Sequence, residues 1–439
     1  MAKKIIVAGA GHGGLAAAAL LAKKGLEVTV YERGNEGTLG HDWMDVFAPK
    51  ALKAADLPFP AEDKYEHKGN MTFYSPNMKT PLHQDVQPDQ LELKMERSDI
   101  YALLIENALA CGVNIVYDCA VIGPLLNGDR VTGIRTAQGD HYADLIIDAA
   151  GLHSPIRTQL PKMCGIDNTV GPNERLFAYR IFYNRVGEEM PEDLYKVCLL
   201  PEGKKGLAWV AAEEDCMDLF IGRFSPFDMD EVEHSAAYFR QIVPQLGTER
   251  RRGGQFVQLP VRHPLPVMVC DGYATIGDSA FMTMPVVGNG IANNFIAAGL
   301  LADTVLRDAD GAFSAETLWP YQIGYYKKLG SGFAVLACIK GLLTRISPEE
   351  LDYIFEKGIL TAADFTIGAD STSLGEILQV SPAELLDRAK NIYDNKPLMK
   401  KILALVLQIG KVTAVTAAMP RTWGMERVSS WAARYRGLF

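Results

Sequence analysis

Length, composition and charge close off several classes of function. The chain has 439 residues, 48% apolar and 22% charged, which is too long for one compact core and ordinary for a globular protein of two or three domains. Its net charge of -9 at pH 7 argues against non-specific nucleic-acid binding, which needs a basic surface. The seven cysteines (Cys111, Cys119, Cys164, Cys198, Cys216, Cys270 and Cys338) form no CxxC pair. They read as reduced thiols of a cytoplasmic protein, with no disulfide framework and no metal site.

The chain starts Met-Ala-Lys-Lys and runs directly into an apolar stretch, leaving no room for a signal peptide. That stretch, Ile5-Ile6-Val7-Ala8, has the continuous apolar character of a strand buried in a parallel sheet. The turn Gly9-Ala10-Gly11-His12-Gly13-Gly14 follows, then an alanine-rich helix over Leu15–Lys24 closed by Gly25, then a second strand, 27–31, ending at Glu32. In such a βαβ unit Gly9 permits the tight turn, Gly11 lets the backbone approach a pyrophosphate, and Gly14 lets helix and strand pack closely. Glu32, 18 residues beyond Gly14, is placed to accept from an adenosine ribose. Dinucleotide binding follows; FAD and NAD are not yet separated, although Arg33 after the acid is compatible with FAD.

Further along, Arg97 precedes a helix that Ser98 or Asp99 can cap, with Ile100, Leu103, Leu104 and Ala108 on one face. Strands are expected at 113–117, 119–126 and 130–136, the last two joined by the hairpin turn Asn127-Gly128-Asp129. A strand from Asp144 to Asp148 leads into Ala149-Ala150-Gly151-Leu152-His153-Ser154-Pro155-Ile156-Arg157. Strand-forming runs at 176–184, 195–200, 206–212 and 217–223 suggest a separate inserted sheet.

A second glycine signature begins where the short strand 273–276 meets Gly277-Asp278; Pro285 and Gly288-Asn289-Gly290 follow and open a helix through about Leu306. Here Asp278 can hold a ribityl hydroxyl. The glycines bring a helix N-terminus near a flavin pyrimidine, where reduction places negative charge. Beyond residue 315 helical patterns are punctuated by Pro348, Pro382, Pro397 and Pro420. Ser347-Pro348-Glu349-Glu350 and Ser381-Pro382-Ala383-Glu384 read as helix N-termini. Segment 399–419, where Lys400, Lys401 and Lys411 interrupt an apolar helix, reads either as buried with a basic face or as lying on a bilayer surface.

Together these segments resemble FAD-dependent oxidoreductases of the para-hydroxybenzoate hydroxylase type, and more narrowly the geranylgeranyl reductase family. The likeness is strongest over Pro260-Val261-Arg262, Pro264-Leu265-Pro266, Asp271-Gly272, Gly277-Asp278-Ser279-Ala280, Pro285 and Gly288-Asn289-Gly290-Ile291. It implies an α/β fold: a Rossmann-like FAD-binding domain (1–60, 90–165 and 265–315), an inserted mixed β-sheet substrate domain (61–89 and 166–264) and a C-terminal helical region (316–439). By resemblance, Gly9, Ala10, Gly11 and Gly14 hold the FAD pyrophosphate and Glu32, with Arg33 beside it, the ribose. Arg97 approaches the pyrophosphate or ribityl chain, Gly277-Asp278 the ribityl chain. Pro285 packs by the isoalloxazine ring, and the amides of Gly288, Asn289, Gly290 and Ile291 face its pyrimidine.

Three departures stand out. Leu39-Gly40-His41-Asp42-Trp43-Met44-Asp45 lacks the cysteine frequent in the family. Ala150-Gly151 replaces the Asp-Gly of related hydroxylases, although Ser154 and Arg157 match. Of the aromatic-x-Trp-x-Phe-Pro motif of prenyl-lipid reductases, Leu207-Ala208-Trp209-Val210-Ala211-Ala212 keeps Trp209 alone.

The expected activity is reduction of a carbon–carbon double bond of a small apolar substrate, isoprenoid-like or alicyclic/aromatic, by hydride from reduced flavin N5. Trp209 would touch the substrate, and His41, Asp42 and Asp45 are the candidate proton donors. A monooxygenase on the same fold and a flavin electron carrier are the competing readings. With no second strand–GxGxxG–helix unit, the electron donor is NAD(P)H visiting transiently or a ferredoxin-like protein. The helical tail leaves open a cover over the substrate cavity, a homo-oligomer interface, or peripheral membrane contact.

Overall fold

A computed structural model describes residues 2–286, 288–362, 364, 387, 388 and 390–439. Its first sheet has the strand order Val269–Cys270, Tyr273–Thr275, Leu145–Asp148, Lys4–Ala8, Glu27–Tyr31, Asn114–Val116. All neighbours are parallel except the first pair. The chain reverses order between Lys4–Ala8 and its neighbours, which creates a crevice at the strands' carboxyl ends. Both glycine signatures open there. Gly9 needs its φ of +98°, and a Cβ on it would lie 2.5 Å from the Ala149 carbonyl oxygen; one on Gly14 would lie 2.6 Å from the Gly9 oxygen.

The helix after the loop spans His12–Ala22, beginning three residues earlier than expected. His12, Gly13 and Gly14 are thus its first turn, and buried Leu15, Ala16, Ala18 and Ala19 pack it into the core. On the other side of the crevice, helix Ile291–Arg307 packs against it, and Gly13 fits beneath Ile276 and Asn294.

The inserted sheet has the order Leu246–Pro260, Arg175–Arg185, Cys216–Arg223, Gly206–Ala212, Tyr195–Leu199, Thr72–Tyr74, Leu82–His83. Its register decides which residues look inward. Trp209 pairs with Phe220 and with Val197, and Phe220 pairs with Arg180. With a side-chain period of two, Tyr195, Val197, Leu199, Leu207, Trp209, Asp218, Phe220 and Arg180 therefore share one face. The opposite face buries Tyr179, Ile181, Val210, Leu219 and Ile221 under helix Met229–Ile242.

That helix and the 15-residue strand Leu246–Pro260 were absent from the sequence expectation. The strand hides behind the polar run Thr248–Gln255. It is an edge strand with register shifts, and Gly253 and Gly254 have φ of +74° and +81°, so the usual alternation is broken.

Two small sheets complete the β-structure of the described residues: Met44–Phe47, Leu93–Glu96 and Glu66–His67, and the meander Val121–Asn127, Arg130–Thr136 and Gly139–Tyr142. The tail helices Ala315–Tyr325, Ser331–Leu343, Pro348–Glu356, Lys396–Ala417 and Met425–Arg436 pack back onto the body. Ser347 and Glu350 form the expected capping box; the Ser381-Pro382 start lies outside the described residues. Arg436 pairs with Asp167, and Phe439 stacks on His263 at 4.1 Å. No single helix among the described residues is long and apolar enough to cross a membrane.

Candidate active site

One cavity of about 1830 Å³ runs from the amino-terminal glycine loop, across the crevice, to the inward face of the inserted sheet. At its first end lie Gly9, Ala10, Gly11, His12, Gly13 and Gly14, followed by Glu32 and Arg33. The Glu32 carboxylate accepts from the Ala10 amide and the Gly34 amide, each at 2.8 Å. This holds the loop open and leaves further lone pairs on both oxygens for a ribose.

In the middle, Arg97 forms a two-pronged pair with Asp45: Nε donates to one carboxylate oxygen and Nη2 to the other at 2.7 Å. Burial opposes ionisation of Asp45, but the Arg97 charge and hydrogen bonds prevail and hold its carboxyl below the usual range. Burial pushes Asp278 the other way, against a 2.6 Å bond from Thr283 and the Arg97 charge. Asn289 donates to the Val46 carbonyl at 2.9 Å, joining segments 243 residues apart. His12 stacks on Tyr101 at 4.7 Å, and burial first, then Arg97, pushes it down to about 4. His41 is also pushed down to about 4, by burial first and then by Arg97.

The other half is largely apolar, although the ion pairs Lys68–Glu92 and Arg388–Asp364 also belong to the lining. Val197, Leu199, Leu200, Leu207, Trp209, Phe220, Phe224 and Phe227 line one side; Leu336, Ile339 and Leu343 of Ser331–Leu343 and Ile409 of Lys396–Ala417 line the other. Trp209 stacks on Phe220 at 3.8 Å with 6° between rings, and its Nε1 donates to Asp218 at 3.1 Å. Asp218 is in turn held by Arg180 through bonds of 2.9 and 2.7 Å.

A family model for an NAD(P)-binding Rossmann-like domain matches residues 7–44. A digeranylgeranylglycerophospholipid reductase of Sulfolobus acidocaldarius is 23% identical over 432 residues, covering 95% of this chain and 93% of that protein. A geranylgeranyl bacteriochlorophyll reductase-like protein from Thermoplasma acidophilum superposes with a TM-score of 0.71 at 19% identity, covering 92% of this chain and 99% of that one. Over nearly its whole length the chain is therefore similar to geranylgeranyl-type reductases, and it shares their fold. A halogenase solved with FAD shares the fold at a TM-score of 0.62 and 16% identity, over 100% of this chain and 95% of that one.

FAD fits the residues present in this cavity. Three cavity-lining side chains keep a buried polar atom with no partner among the described residues: His12 Nε2, Trp43 Nε1 and Asn294 Oδ1. The amino-terminal glycine cradle is closed to any Cβ at Gly9 and Gly14. The expected cofactor-side residues Gly9, Ala10, Gly11, Gly14, Glu32, Arg33, Arg97, Gly277, Asp278, Gly288, Asn289, Gly290 and Ile291 all line this one cavity, as does Trp209.

Three expectations need revision. Pro285 is buried, and the lining passes instead through its neighbours Met284 and Val286. Asp42 turns toward the edge strand, accepting from Arg252 and from the Gly253 amide, each at 3.0 Å; it ties a loop down and does not face the substrate half. Asp45 reaches the cavity wall, but both its oxygens are engaged by Arg97, whose charge and hydrogen bonds hold its carboxyl below the usual range.

Ser154 and Arg157 act behind the site. Ser154 donates to buried Asp148 and accepts from the Ile156 and Arg157 amides, while Arg157 donates to the Leu152 and Asp167 carbonyls. Ser279 then accepts from the Gly151 amide at 2.8 Å, so the second signature is joined to the segment that follows strand Leu145–Asp148. Sequence reasoning missed His12, Tyr101, Trp43, Arg180, Asp218 and Phe220. The i, i+2 spacing of Asp218 and Phe220, and of Arg180 and Phe182, was the available signal for the sheet residues.

Proposed function

We propose that the protein is a reductase that saturates carbon–carbon double bonds of an isoprenoid-like chain lying in the largely apolar half of the cavity. The observation that carries this reading is continuity: the glycine-loop end and the aromatic and aliphatic end are one space. When bound and reduced, FAD supplies hydride to an unsaturated carbon. Burying the substrate against Leu199, Leu207, Phe220 and Ile339 excludes water and supports binding at roughly 25 cal/mol per Å² of apolar surface.

Among His41, Asp42 and Asp45, His41 is the favoured proton carrier, because it lines the cavity and forms no ion pair among the described residues. As a neutral imidazole it relays a proton, accepting at one nitrogen and releasing from the other, rather than storing one. Electrons arrive from NAD(P)H or a ferredoxin-like protein, docking without a second glycine-loop unit of this chain. The outer face of Lys396–Ala417 exposes Leu403 (41%) and Leu407 (67%) between Lys400 and Lys411. The same helix lines the cavity through Ile409 and Thr413, which supports loading of a lipid-borne chain from a bilayer surface. Flotation with anionic liposomes checks that contact; protein left wholly at the bottom of the gradient removes it.

The function is tested by photoreducing the protein under strict anaerobiosis and adding a prenyl alcohol of four isoprene units. Return of the yellow colour, with product heavier by two hydrogens per bond, is expected. Flavin that stays bleached until oxygen is admitted, and then yields a hydroxylated product, would transfer the protein to the oxygenases.

A further inference from the structure

A line of contacts crosses from the cofactor wall to the substrate sheet. Arg97 holds Asp45; the adjacent Met44 carbonyl accepts from Arg180 Nη1; Arg180 holds Asp218 at both oxygens; and Asp218 accepts from the indole of Trp209. Arg180, Trp209 and Phe220 line the cavity, and Asp218 has no solvent exposure. Burying a charged pair on an apolar wall is costly, and a hydrophobic pair of similar volume is often as stable. A role in placement explains why this pair sits directly against the stacked rings of Trp209 and Phe220.

We propose that Asp218 and Arg180 are positioning residues that lock the Trp209 indole across the cavity and thereby select which double bond of the chain stands at the cofactor. The selection works through geometry. Phe220 fixes the plane of the indole from one side, at 3.8 Å, and Asp218 fixes its rotation within that plane through Nε1. Arg180 anchors Asp218 and, through the Met44 carbonyl, references the whole assembly to the cofactor wall. A chain sliding past a fixed indole stops in one register; past a free one it stops in several. A displacement of about 1 Å at a reacting carbon costs up to 100-fold in rate.

This inference rests on the proposed double-bond reduction, so its test has one readout that does not. Removing Asp218 alone would strand the Arg180 charge, so both positions are changed together. Arg180→Met with Asp218→Asn keeps an acceptor for the indole; Arg180→Met with Asp218→Leu does not. With the four-unit prenyl alcohol as probe, the Leu form should lose about tenfold or more in kcat with little change in KM, and should spread reduction over several double bonds. The Asn form, which keeps the indole's acceptor but loses the Arg180 anchor, should fall between the Leu form and wild type in both rate and pattern. Flavin photoreduction should be equal in both.

Independently of any substrate, the Trp209 Nε1–H resonance should keep its hydrogen-bonded position in the Asn form and move in the Leu form. Equal product patterns and equal indole resonances in the two forms would overturn the proposal. If wild-type protein fails to reduce the probe, the substrate reading fails, and the indole resonance alone decides this one: a resonance unmoved by Leu refutes it.

Discussion

The two halves of the cavity are built on different physical rules. In the cofactor half, the controlling constraint is steric and local: backbone must approach backbone, so Gly9 and Gly14 have no substitute. In the substrate half it is register: alternation along four strands gathers Tyr195, Trp209, Phe220 and Arg180 from distant positions onto one face. A local constraint leaves a fixed mark in sequence, whereas a register constraint leaves only residue types that many strands share. The first half should therefore fail abruptly under substitution and the second by degrees.

The largest effect is expected at the loop. Gly14→Val places side-chain carbon where the Gly9 oxygen and Ala149 Cβ already lie, and should give protein that is colourless after incubation with excess FAD. A yellow, fully loaded variant would contradict the steric account. Next comes Asp45→Asn, which leaves Arg97 partly buried without its counter-charge. A loss of about 3 kcal/mol is expected from breaking one partner of a buried pair, read as a lowered urea midpoint, with weaker flavin retention.

Asn289→Ala, which removes only the bridge to the Val46 carbonyl, should cost about 1 kcal/mol in the same measurement. Outside the cavity, Asp42→Asn should leave the rate of flavin reoxidation by substrate within about twofold, because Asp42 faces Arg252 and its loss affects only an exposed pair.

A pH series separates the halves differently. His12, His41 and His263 are all held below their ordinary value, first of all by burial. The unfolded chain therefore binds protons that the folded one refuses. Stability should be flat above about pH 7 and should fall as pH drops from 6.5 toward 4. His12→Asn should flatten part of that fall. A thermal midpoint indifferent to pH across this window would mean the ring nitrogens are hydrated in solution.

The same contrast explains what was legible in the sequence. The glycine loop, Glu32, the Asp278 turn and the helix from Ile291 follow from spacing, because each rests on contacts within about ten residues or on a backbone conformation. The strands over 175–223 were legible from their composition, yet not their order, so the pairing of Arg180 with Asp218 was invisible. Leu246–Pro260 escaped because three consecutive arginines and two left-handed glycines mask a strand whose solvent edge tolerates them. His12 escaped for the opposite reason: among five neighbouring glycines and alanines it reads as a spacer, and only its stacking on Tyr101 shows otherwise.

The central claim, that one continuous space holds the cofactor at the glycine loop and an apolar chain beside the indole, is tested most directly by photo-crosslinking. A diazirine-bearing prenyl alcohol, irradiated with FAD-loaded protein and mapped by mass spectrometry, should label Trp209, Leu336, Ile339 and Ile409, with labelling suppressed by unlabelled prenyl alcohol. Label confined to the exposed residues Leu403 and Leu407, insensitive to competitor, would place the chain outside the cavity and contradict the account.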